Sequence, residues 1–576
     1  MIRLKKMMAL VIALVMVICT MNFTIFADNG DLTPDSKITI TGLDVNDTVH
    51  LYQVLMWKDG EGWRLAKDEY SDLLTSGNDN YVQAVKDLVD NKYASDGKPI
   101  QLSKTDVDKI AKVIKQHKGT VVDEETMTET PYDYETTQKP GMYIALVTPG
   151  TAGVIYNPII VSADFTASPG TSETSNIDAS SAFMGTTSVA KKEKITVTKN
   201  AEEVTPSNKD TDKTKGYTHN VGDIVKFTIE TKIPAYADSY INPSFTVSDK
   251  LSDGLILVVD DADHKFTVES GEVTYTGDPA AQDGKREFKL VFDSAKIAAL
   301  LDYQTVKITY FAKVTSEAIT NIDEEDNTIE VEFSNDPHDD NHKGKAKDKT
   351  KHYTFTIDGN LLGRDKYRTG ELVKVGVDAN GDPVESYREL SNGEKVAALV
   401  GAEFGLYKSE QGAKDQDEND LYKNDVFTTG KVTTNEDGLM EINGLDVGEY
   451  YLKELTAPKG YIRDPDVHKI EITAEFETKE VTETLNGYEY TYDFQVLKSY
   501  TVTIDETEST YSTTINASGE VVEVTPGDST SQIKNTKGVE LPATGGMGTT
   551  IFYVIGTILV LGAGILLVTR RRMNME

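Results

Sequence analysis

Cysteine is nearly absent from this chain of 576 residues: Cys19 is the only one, and it lies in an apolar stretch near the N-terminus. Three basic residues precede that stretch and the small residue Ala27 follows it. A charged start, an apolar centre and a small residue at the end predict a secretory leader over residues 1–27. A chain cleaved there has no thiol, which excludes disulfides, thiolate-bound metals and a cysteine nucleophile.

Basic residues are also scarce relative to acidic ones. The chain has 59 lysines and arginines against 94 aspartates and glutamates, a formal net charge of −35. Nucleic-acid binding needs a basic surface, so no nucleic-acid partner is expected, and the acidic excess suits a solvated extracellular protein. Nucleotide-binding glycine loops and catalytic serine motifs are absent from the sequence as well. We therefore expect neither an enzyme acting on external substrates nor a cofactor.

Long hydrophobic runs are confined to the two ends of the chain. Near the C-terminus, residues 551–568 are apolar except for Thr557. With its flanks, residues 549–569, this run would cover roughly 30 Å as a helix, enough to cross a bilayer. Three arginines, 570–572, follow it and would hold the cytoplasmic end. The pattern predicts a transmembrane span.

The remaining length is too large for one hydrophobic core, so several domains are expected. Short alternating runs rich in Thr, Val, Tyr and Ile, separated by Gly, Asn and Asp turns, predict an all-β chain of tandem β sandwiches. Apolar residues at helical spacing around residues 80–117 predict some helix in the first domain. The expected boundaries are a first domain at 31–165, a linker at 166–193, a second domain at 194–350 and a third at 352–537.

The C-terminal tail carries a specific motif. LPATG occupies residues 541–545, directly before the apolar span and its arginines, so that the tail covers residues 541–576. This three-part tail resembles the cell-wall sorting signal of Gram-positive surface proteins. The resemblance implies that a sortase cysteine attacks the carbonyl of Thr544, releases the chain from Gly545 onward, and passes the acyl group to an amine. An anchor that is never processed is the competing interpretation.

The third domain carries a second resemblance. GAEFGLYK at 401–408, YYLKELTAPKGY at 450–461 and IKNTKG at 533–538 resemble a Cna B-type domain, which is an Ig-like sandwich. The resemblance implies a covalent amide between a lysine of the first strand and an asparagine of the last, formed with the help of a glutamate. Carried over to this chain, these residues are Lys374, Asn535 and Glu454, with Lys366 as the reserve lysine.

Such a bond needs ionisable groups inside an apolar core. Burial lowers the pKa of a lysine and raises that of a carboxylic acid, so that a neutral amine can attack the amide while the acid moves protons. Side chains alternate faces along a strand, so residues separated by an even number of positions lie on the same face. This parity shows which ionisable residues share a face with apolar ones. The residues of the second domain that fall on the apolar side of their own strands are Lys199, Asp249 and Asn335, with Asn327 as the reserve acceptor.

That second-domain set also resembles the second domain of pilin backbone subunits, through SDKL and the ending N-x-I-x-V-x-F-S-N-x-P. The competing interpretation for each residue is a solvated strand position. The first domain offers no such trio, because Lys37 lies off the face formed by Ile38 and Ile40. We predict crosslinks in the second and third domains and make no prediction for the first.

Polymerisation would require an acceptor amine. The YPK form of the pilin motif is absent, but SVAKKEK at 188–194 resembles the pilin subgroup in which AKK precedes the second domain. The candidates for the pilin-linkage lysine are Lys192, then Lys191, then Lys194. The competing interpretation is that they are ordinary linker lysines.

The combined resemblance identifies a sortase-assembled major pilin, the backbone subunit of a cell-wall pilus that supports adhesion. The implied partners are sortase, identical subunits joined head to tail, minor pilins, peptidoglycan and a host-surface ligand. A monomeric wall-anchored adhesin and a minor pilin at the tip or base remain alternatives. HDDNH at 338–342 could bind a divalent cation, but an interdomain loop is favoured and no metal site is predicted.

Overall fold

Alternating apolar residues form strands in three successive units of the chain. The fold comes from a computed structural model that describes residues 37–58, 61–90, 102–117, 119, 121–135, 141–163, 186–203, 217–260, 262–270, 273–274, 282–300, 305–319, 326–359, 370–384, 387–389, 395–527, 529–538 and 547–573. The predicted leader, most of the predicted linker, Lys366 and the LPATG motif lie outside these residues.

The first unit packs helices on one face of a β-sheet. Its strands are β1 (Lys37–Thr41), β2 (Thr48–Lys58), β3 (Gly62–Leu65), β4 (Val121–Thr126), β5 (Tyr132–Glu135), β6 (Gly141–Thr148), β7 (Val154–Tyr156), β8 (Ile159–Ala163), β9 (Thr187–Val189) and β10 (Lys192–Lys194). A 3-10 helix (Asp68–Leu74) and two α-helices, α1 (Gln83–Val89) and α2 (Lys104–Gln116), lie between β3 and β4.

Strand order in the larger sheet of this unit is β3-β2-β6-β8, with β4 also paired to β2. A capping box formed by Ser103 and Asp106 starts α2, and the helix buries its apolar stripe, including Ile110 and Ile114, in a core shared with β2 and β6. The predicted helical middle of the first domain is confirmed.

The second unit is a sandwich of two antiparallel sheets. Its strands are β11 (Val197–Glu203), β12 (Ile224–Lys232), β13 (Phe245–Leu251), β14 (Leu255–Val258), β15 (Thr267–Ser270), β16 (Val273–Thr274), β17 (Glu287–Phe292), β18 (Thr305–Val314), β19 (Asp326–Ser334) and β20 (Lys343–Lys351), with α3 (Ser294–Ala299) before β18. One sheet has the order β11-β12-β18-β15-β16 and the other has β17-β13-β19-β20.

The third unit contains a parallel pair of strands and a seven-stranded antiparallel sheet. Its elements are β21 (Phe355–Ile357), β22 (Leu372–Val377), β23 (Tyr387–Glu389), β24 (Lys395–Ala397), β25 (Glu403–Tyr407), α4 (Glu410–Asp415), β26 (Lys431–Thr433), β27 (Ile442–Leu445), β28 (Gly448–Thr456), β29 (Val467–Leu485), β30 (Tyr488–Ile504), β31 (Thr507–Ile515), β32 (Val521–Thr525) and β33 (Ser531–Thr536). β22 pairs with β33 in parallel.

One expectation about the boundaries needs correction. Residues 187–194 are not linker, because β9 pairs with β1 and β10 pairs with β7, which adds them to the sheets of the first unit. The polar ending of the second domain, KGKAKDKTK, forms β20, which pairs with β19 along its length. Lysines occupy every second position of β20, so the other face of the strand carries Gly344 and Ala346 and can be buried.

β29 and β30 form a hairpin that leaves the third unit and packs on the second. The side chains of Val481, Leu485, Tyr490, Tyr492, Phe494 and Val496 belong to the same apolar cluster as the core of the second sandwich. The hairpin turns at Asn486 and Gly487, both with positive φ, as a tight two-residue turn requires. The second and third units therefore share a core.

Strands dominate all three units, so the predicted fold class, all-β with tandem Ig-like sandwiches and some helix in the first domain, is confirmed. Each sandwich places ionisable residues between its layers, and those residues form the candidate sites.

Candidate functional site

The site in the third domain is built from three strands. β22 contributes Lys374, β33 contributes Asn535, and β28, which contains the YYLKELT motif, contributes Glu454. In the parallel register Lys374 lies opposite Ile533 and Gly376 lies opposite Asn535, so the two side chains are offset by one same-face position. All three predicted residues come together, and each is fully buried.

The alternation of side chains along β22 does not by itself show which way Lys374 faces, because valines occupy the other face of the strand. Both faces of β22 are buried: Val373, Val375 and Val377 form a small cluster with Val396, while Leu372 joins the main core of the domain. A strand that is buried on both sides loses the alternation that parity depends on. Lys374 therefore faces the interior although its neighbours are also apolar.

Glu454 lies between the other two side chains. Its Oε1 is 3.5 Å from Lys374 Nζ and accepts a hydrogen bond of 2.8 Å from Asn535 Nδ2. Its Oε2 accepts the backbone N–H of Asp464 at 2.5 Å, which fixes the carboxyl group. The ring of Phe404 lies 5.1 Å from Lys374 Nζ and keeps water away from the amine.

The electrostatics of this site favour a reactive amine. Burial lowers the pKa of Lys374 to about 8, although Glu454 opposes the shift. Within the described residues, Lys374 Nζ and Asn535 Oδ1 are both buried and neither makes a hydrogen bond. A buried polar group without a hydrogen bond costs roughly 1–3 kcal/mol, so this pair is unfavourable as two separate side chains.

The site in the second domain is also a buried cluster. Lys199 Nζ, from β11, contacts Asp249 Oδ2, from β13, and lies 2.5 Å from Asn327 Oδ1, at the start of β19. The side chains of Lys199 and Asp249 are both inaccessible to solvent. Burial lowers the pKa of Lys199 to about 8 and raises the pKa of Asp249, so the neutral amine and the neutral acid are both favoured.

Asn335, the expected acceptor in this domain, does not lie beside Lys199, whereas the reserve residue, Asn327, does. Asn335 lies eight residues further along the chain, which at about 3.3 Å per residue puts it roughly 26 Å away. Its Oδ1 is instead hydrogen-bonded to His342 at 2.8 Å. Parity cannot distinguish the two asparagines, because both lie on the face of Ile329 and Phe333. They are distinguished only by the register with β13, which pairs Asn327 with Leu251.

Two aromatic residues of this site escaped the sequence analysis. The rings of Phe227 and Tyr310 each lie 5.4 Å from Lys199 Nζ. The hydroxyl of Tyr310 donates to Asp249 Oδ1 at 2.9 Å and accepts from Asn327 Nδ2 at 2.7 Å. The alternation of TVKITYFAKV places Tyr310 on the inward face with Val306 and Ile308, a signal that was available but not used.

The candidate acceptor lysines lie where the first domain ends. Lys191, Lys192 and Lys194 are all exposed. Lys192 Nζ is 2.5 Å from a carboxylate oxygen of Asp44 and lies 6.0 Å from the ring of Tyr156. Lys37 is also exposed and pairs with Asp133 at 2.7 Å, consistent with its outward parity.

The two histidines of HDDNH serve contacts between domains. His338 stacks on His50 of the first domain, with ring centroids 3.7 Å apart, and its Nδ1 lies 2.8 Å from the Tyr52 hydroxyl. His342 Nε2 lies 2.7 Å from the hydroxyl of Tyr488, on the hairpin of the third domain. Among the described residues there is no cluster of three or more His, Cys, Asp or Glu that could hold a metal ion.

The C-terminal segment is helical. α5 (Met547–Met573) contains the arginines in its last turn, and its region Phe552–Met573 is long and apolar enough to cross a membrane. Thr544 and Gly545, the predicted cleavage pair, lie outside the described residues.

Comparison with known protein families gives three matches. Residues 34–192 match a T6 antigen Ig-like domain, residues 391–486 match a SpaA prealbumin-like fold domain, and residues 533–574 match an LPXTG cell wall anchor motif. The first match includes β9 and ends at Lys192, the first residue of β10, which fits the place of β9 in the first unit.

Similar proteins include the trypsin-resistant surface T6 protein of Streptococcus pyogenes serotype M6, 28% identical over 472 residues, which cover 75% of this chain and 79% of that protein. The solved structure of the T6 backbone pilin of that serotype has a TM-score of 0.50 at 18% identity, covering 88% of this chain and 99% of the other. The full-length major pilin SpaD of Corynebacterium diphtheriae has a TM-score of 0.39 at 18% identity, covering 87% and 98%. The T6 structure supports the same fold for this chain.

Proposed function

We propose that this chain, a sortase-assembled Gram-positive major pilin on a cell-wall-anchored surface pilus, is polymerised head to tail through a lysine of its first domain and stabilised by two internal amide bonds that it forms itself. The observation that carries the proposal is the pair of buried clusters of a lysine, an acid and an asparagine. Buried lysines and acids are rare without a strong reason, and two sets in one chain point to a shared chemistry.

In the third domain the bond joins Lys374 to Asn535. The neutral Nζ attacks Cγ of the amide, the Nζ–Cγ bond forms and the Cγ–Nδ2 bond breaks. Glu454 takes a proton from Nζ and delivers one to Nδ2, with which it already shares a hydrogen bond, so that ammonia leaves. The reaction needs no cofactor and occurs once in each molecule.

In the second domain the bond joins Lys199 to Asn327, with Asp249 as the acid. The short contact between Lys199 Nζ and the amide oxygen brings the amine to the reacting group. β11 and β19 lie in opposite sheets, so the second-domain bond crosses the layers of the sandwich, whereas β22 and β33 are paired neighbours in one sheet, so the third-domain bond joins adjacent strands. Each bond resists separation of its two strands under tension.

Polymerisation uses the tail of one subunit and the first domain of the next. Sortase cleaves between Thr544 and Gly545, and the amine of Lys192, or of Lys191, resolves the acyl-enzyme. Repetition gives an open head-to-tail chain, since the two contact surfaces differ. The exposure of both lysines and the 2.5 Å contact that orients Lys192 through Asp44 support this step.

The test is boiling in SDS of wall extracts from cells that express the chain and its sortase. A polymerised pilin gives a ladder of high molecular weight, and the ladder collapses in the Lys191→Ala/Lys192→Ala variant. Lys37→Ala, which removes another exposed lysine of the same domain, is the matched control and keeps the ladder. A single band from the wild type would favour a monomeric wall-anchored adhesin, and a ladder in the double variant would exclude both lysines.

A further inference from the structure

Tyr310 is the residue of the second-domain cluster to which the crosslinking scheme above gives no role. It lies in β18, in the sheet opposite the one that carries Asp249 and Asn327, and its side chain is fully buried. Its hydroxyl lies between the acid and the amide: it donates to Asp249 Oδ1 at 2.9 Å and accepts from Asn327 Nδ2 at 2.7 Å. A buried hydroxyl that both donates and accepts a hydrogen bond connects its two partners in a fixed arrangement.

The bridge fixes the orientation of the amide. Because the Tyr310 proton points to Asp249, the hydroxyl oxygen can only accept from the asparagine, and the NH2 group must face it. The amide oxygen then faces Lys199 Nζ, as the 2.5 Å contact shows. The amide therefore presents its oxygen to the amine and its leaving nitrogen to the phenol.

In the third domain the acid contacts the amide nitrogen directly, without a bridging hydroxyl. There Glu454 Oε1 contacts both reacting side chains, at 3.5 Å from Lys374 Nζ and 2.8 Å from Asn535 Nδ2. Aspartate is one methylene shorter than glutamate. In the second domain the acid reaches the lysine, and the contact with the amide nitrogen is made by the tyrosine.

We propose that Tyr310 is a catalytic residue for the second-domain crosslink, relaying a proton from Asp249 to the leaving nitrogen of Asn327. The proposal rests on the Lys199–Asn327 bond proposed above. As Nζ bonds to Cγ, neutral Asp249 accepts the Nζ proton on one carboxyl oxygen and releases its own proton from the other. Tyr310 gives its hydroxyl proton to Nδ2 as the Cγ–Nδ2 bond breaks, and it recovers a proton from Asp249. One amide forms, one ammonia leaves, and the acid and the phenol end as they began.

The test follows both ammonia losses over time after synthesis of residues 28–544 in a cell-free translation reaction, by intact mass and peptide mapping. In Tyr310→Phe the second-domain bond should form about 100-fold more slowly, the lower range for loss of a general acid–base group. The third-domain bond in the same molecules should form at the wild-type rate, and it serves as an internal reference for the rate of the second-domain bond.

Tyr240→Phe is the matched control. This tyrosine is also buried in the second domain, and its hydroxyl donates to the backbone oxygens of Tyr156 and Asn335, far from Lys199. It should form both bonds at wild-type rates. A wild-type rate for the second-domain bond in Tyr310→Phe overturns the relay and leaves the crosslink standing; a wild-type protein that never forms that bond overturns the crosslink itself.

A folding defect is separated from a chemical one by comparing Asn327→Ala with Tyr310→Phe/Asn327→Ala, neither of which can form the bond. Similar melting curves mean that the phenylalanine variant folds, and the rate comparison stands. If it does not fold, Tyr310→3,5-difluorotyrosine keeps the hydroxyl but makes it more acidic. A changed rate of the second-domain bond then supports the relay, and an unchanged rate overturns it.

Discussion

At the scale of single residues, the proposed crosslinks depend on the buried acids, which decide whether the amines react. Glu454 is the group that contacts both partners in the third domain. Replacing it leaves two buried side chains without a proton carrier, whereas the strands that hold them are unchanged. The chemistry should therefore be lost before the fold is.

We expect Glu454→Ala to fold, to lose one ammonia instead of two, and to unfold at a lower temperature. A crosslink that closes a loop of more than 100 residues stabilises by about 5 kcal/mol if it acts as a disulfide does. Intact mass and calorimetry measure both effects. Glu449→Ala, on the same strand but partly exposed, is the control and should keep both bonds. Full bond formation in Glu454→Ala would remove this residue from the reaction.

A second residue-scale prediction concerns pH. In Asn535→Ala the amine of Lys374 stays free, and burial holds its pKa at about 8 rather than the ordinary 10.5. Between these values the unfolded chain binds the proton and the folded chain does not, so the free energy of unfolding should rise with pH across this window. The gain is at most about 3 kcal/mol, since one pKa unit corresponds to roughly 1.4 kcal/mol.

Denaturant titrations at pH 8 and pH 10.5 measure this gain. Lys374→Met/Asn535→Ala carries no amine at this position, and subtracting its pH dependence removes the contribution of the tyrosines that titrate in the same range. Equal pH dependence in the two variants would mean that the Lys374 amine is not desolvated.

At the scale of elements, the hairpin of β29 and β30 joins two domains. Tyr492 packs in the core cluster of the second domain, with its hydroxyl donating to Glu483 at 2.5 Å and Lys347 of β20 lying 5.6 Å from its ring. Glu483 also pairs with Lys347 at 2.6 Å. The hairpin thus covers the lysine face of the edge strand β20.

We expect Tyr492→Ala to detach the hairpin from β20, because truncating a buried aromatic side chain costs about 3 kcal/mol. Hydrogen exchange should accelerate at residues 343–351 and 488–496, while β22 and β33 stay protected. Thr484→Ala, at an exposed position of the same hairpin, should leave exchange unchanged. Unchanged exchange in Tyr492→Ala would mean that the hairpin contributes nothing to the contact between the domains.

Local sequence patterns predicted individual helices and strands better than they predicted which strands pair with each other. Helical spacing gave α2, and alternation gave strands such as β13 and β18, because each depends on neighbouring residues. β20 was missed because its alternate lysines resemble a solvated tail until the hairpin that covers them is placed. Asn327 and Asn335 share a parity, so only the pairing of β19 with β13, a long-range property, chooses between them.

At the scale of the whole molecule, the two proposed bonds determine how many residues can unfold and extend when the protein is pulled. In the proposed head-to-tail polymer, tension enters near the first domain and leaves through the C-terminal tail. A Lys374–Asn535 bond carries the force directly from β22 to β33 and shields the residues between them. Residues 328–351, by contrast, lie outside the loop closed by Lys199 and Asn327, so β20 depends on the hairpin rather than on a covalent bond.

Single-molecule pulling should therefore release no length from residues 375–534 in the wild type. Asn535→Ala should release roughly 550 Å more, at about 3.4 Å per residue. Asn516→Ala, an asparagine in an exposed turn of the same domain, is the control and should behave as the wild type. Equal extension of Asn535→Ala and the wild type would mean that no bond bridges these strands.

The most direct measurement is the intact mass of the folded protein covering residues 28–544, with tryptic mapping of the linked peptides. We expect a mass lower by two ammonias than the sequence gives, with Lys199 joined to Asn327 and Lys374 joined to Asn535. A mass equal to that of the unmodified sequence would contradict both bonds.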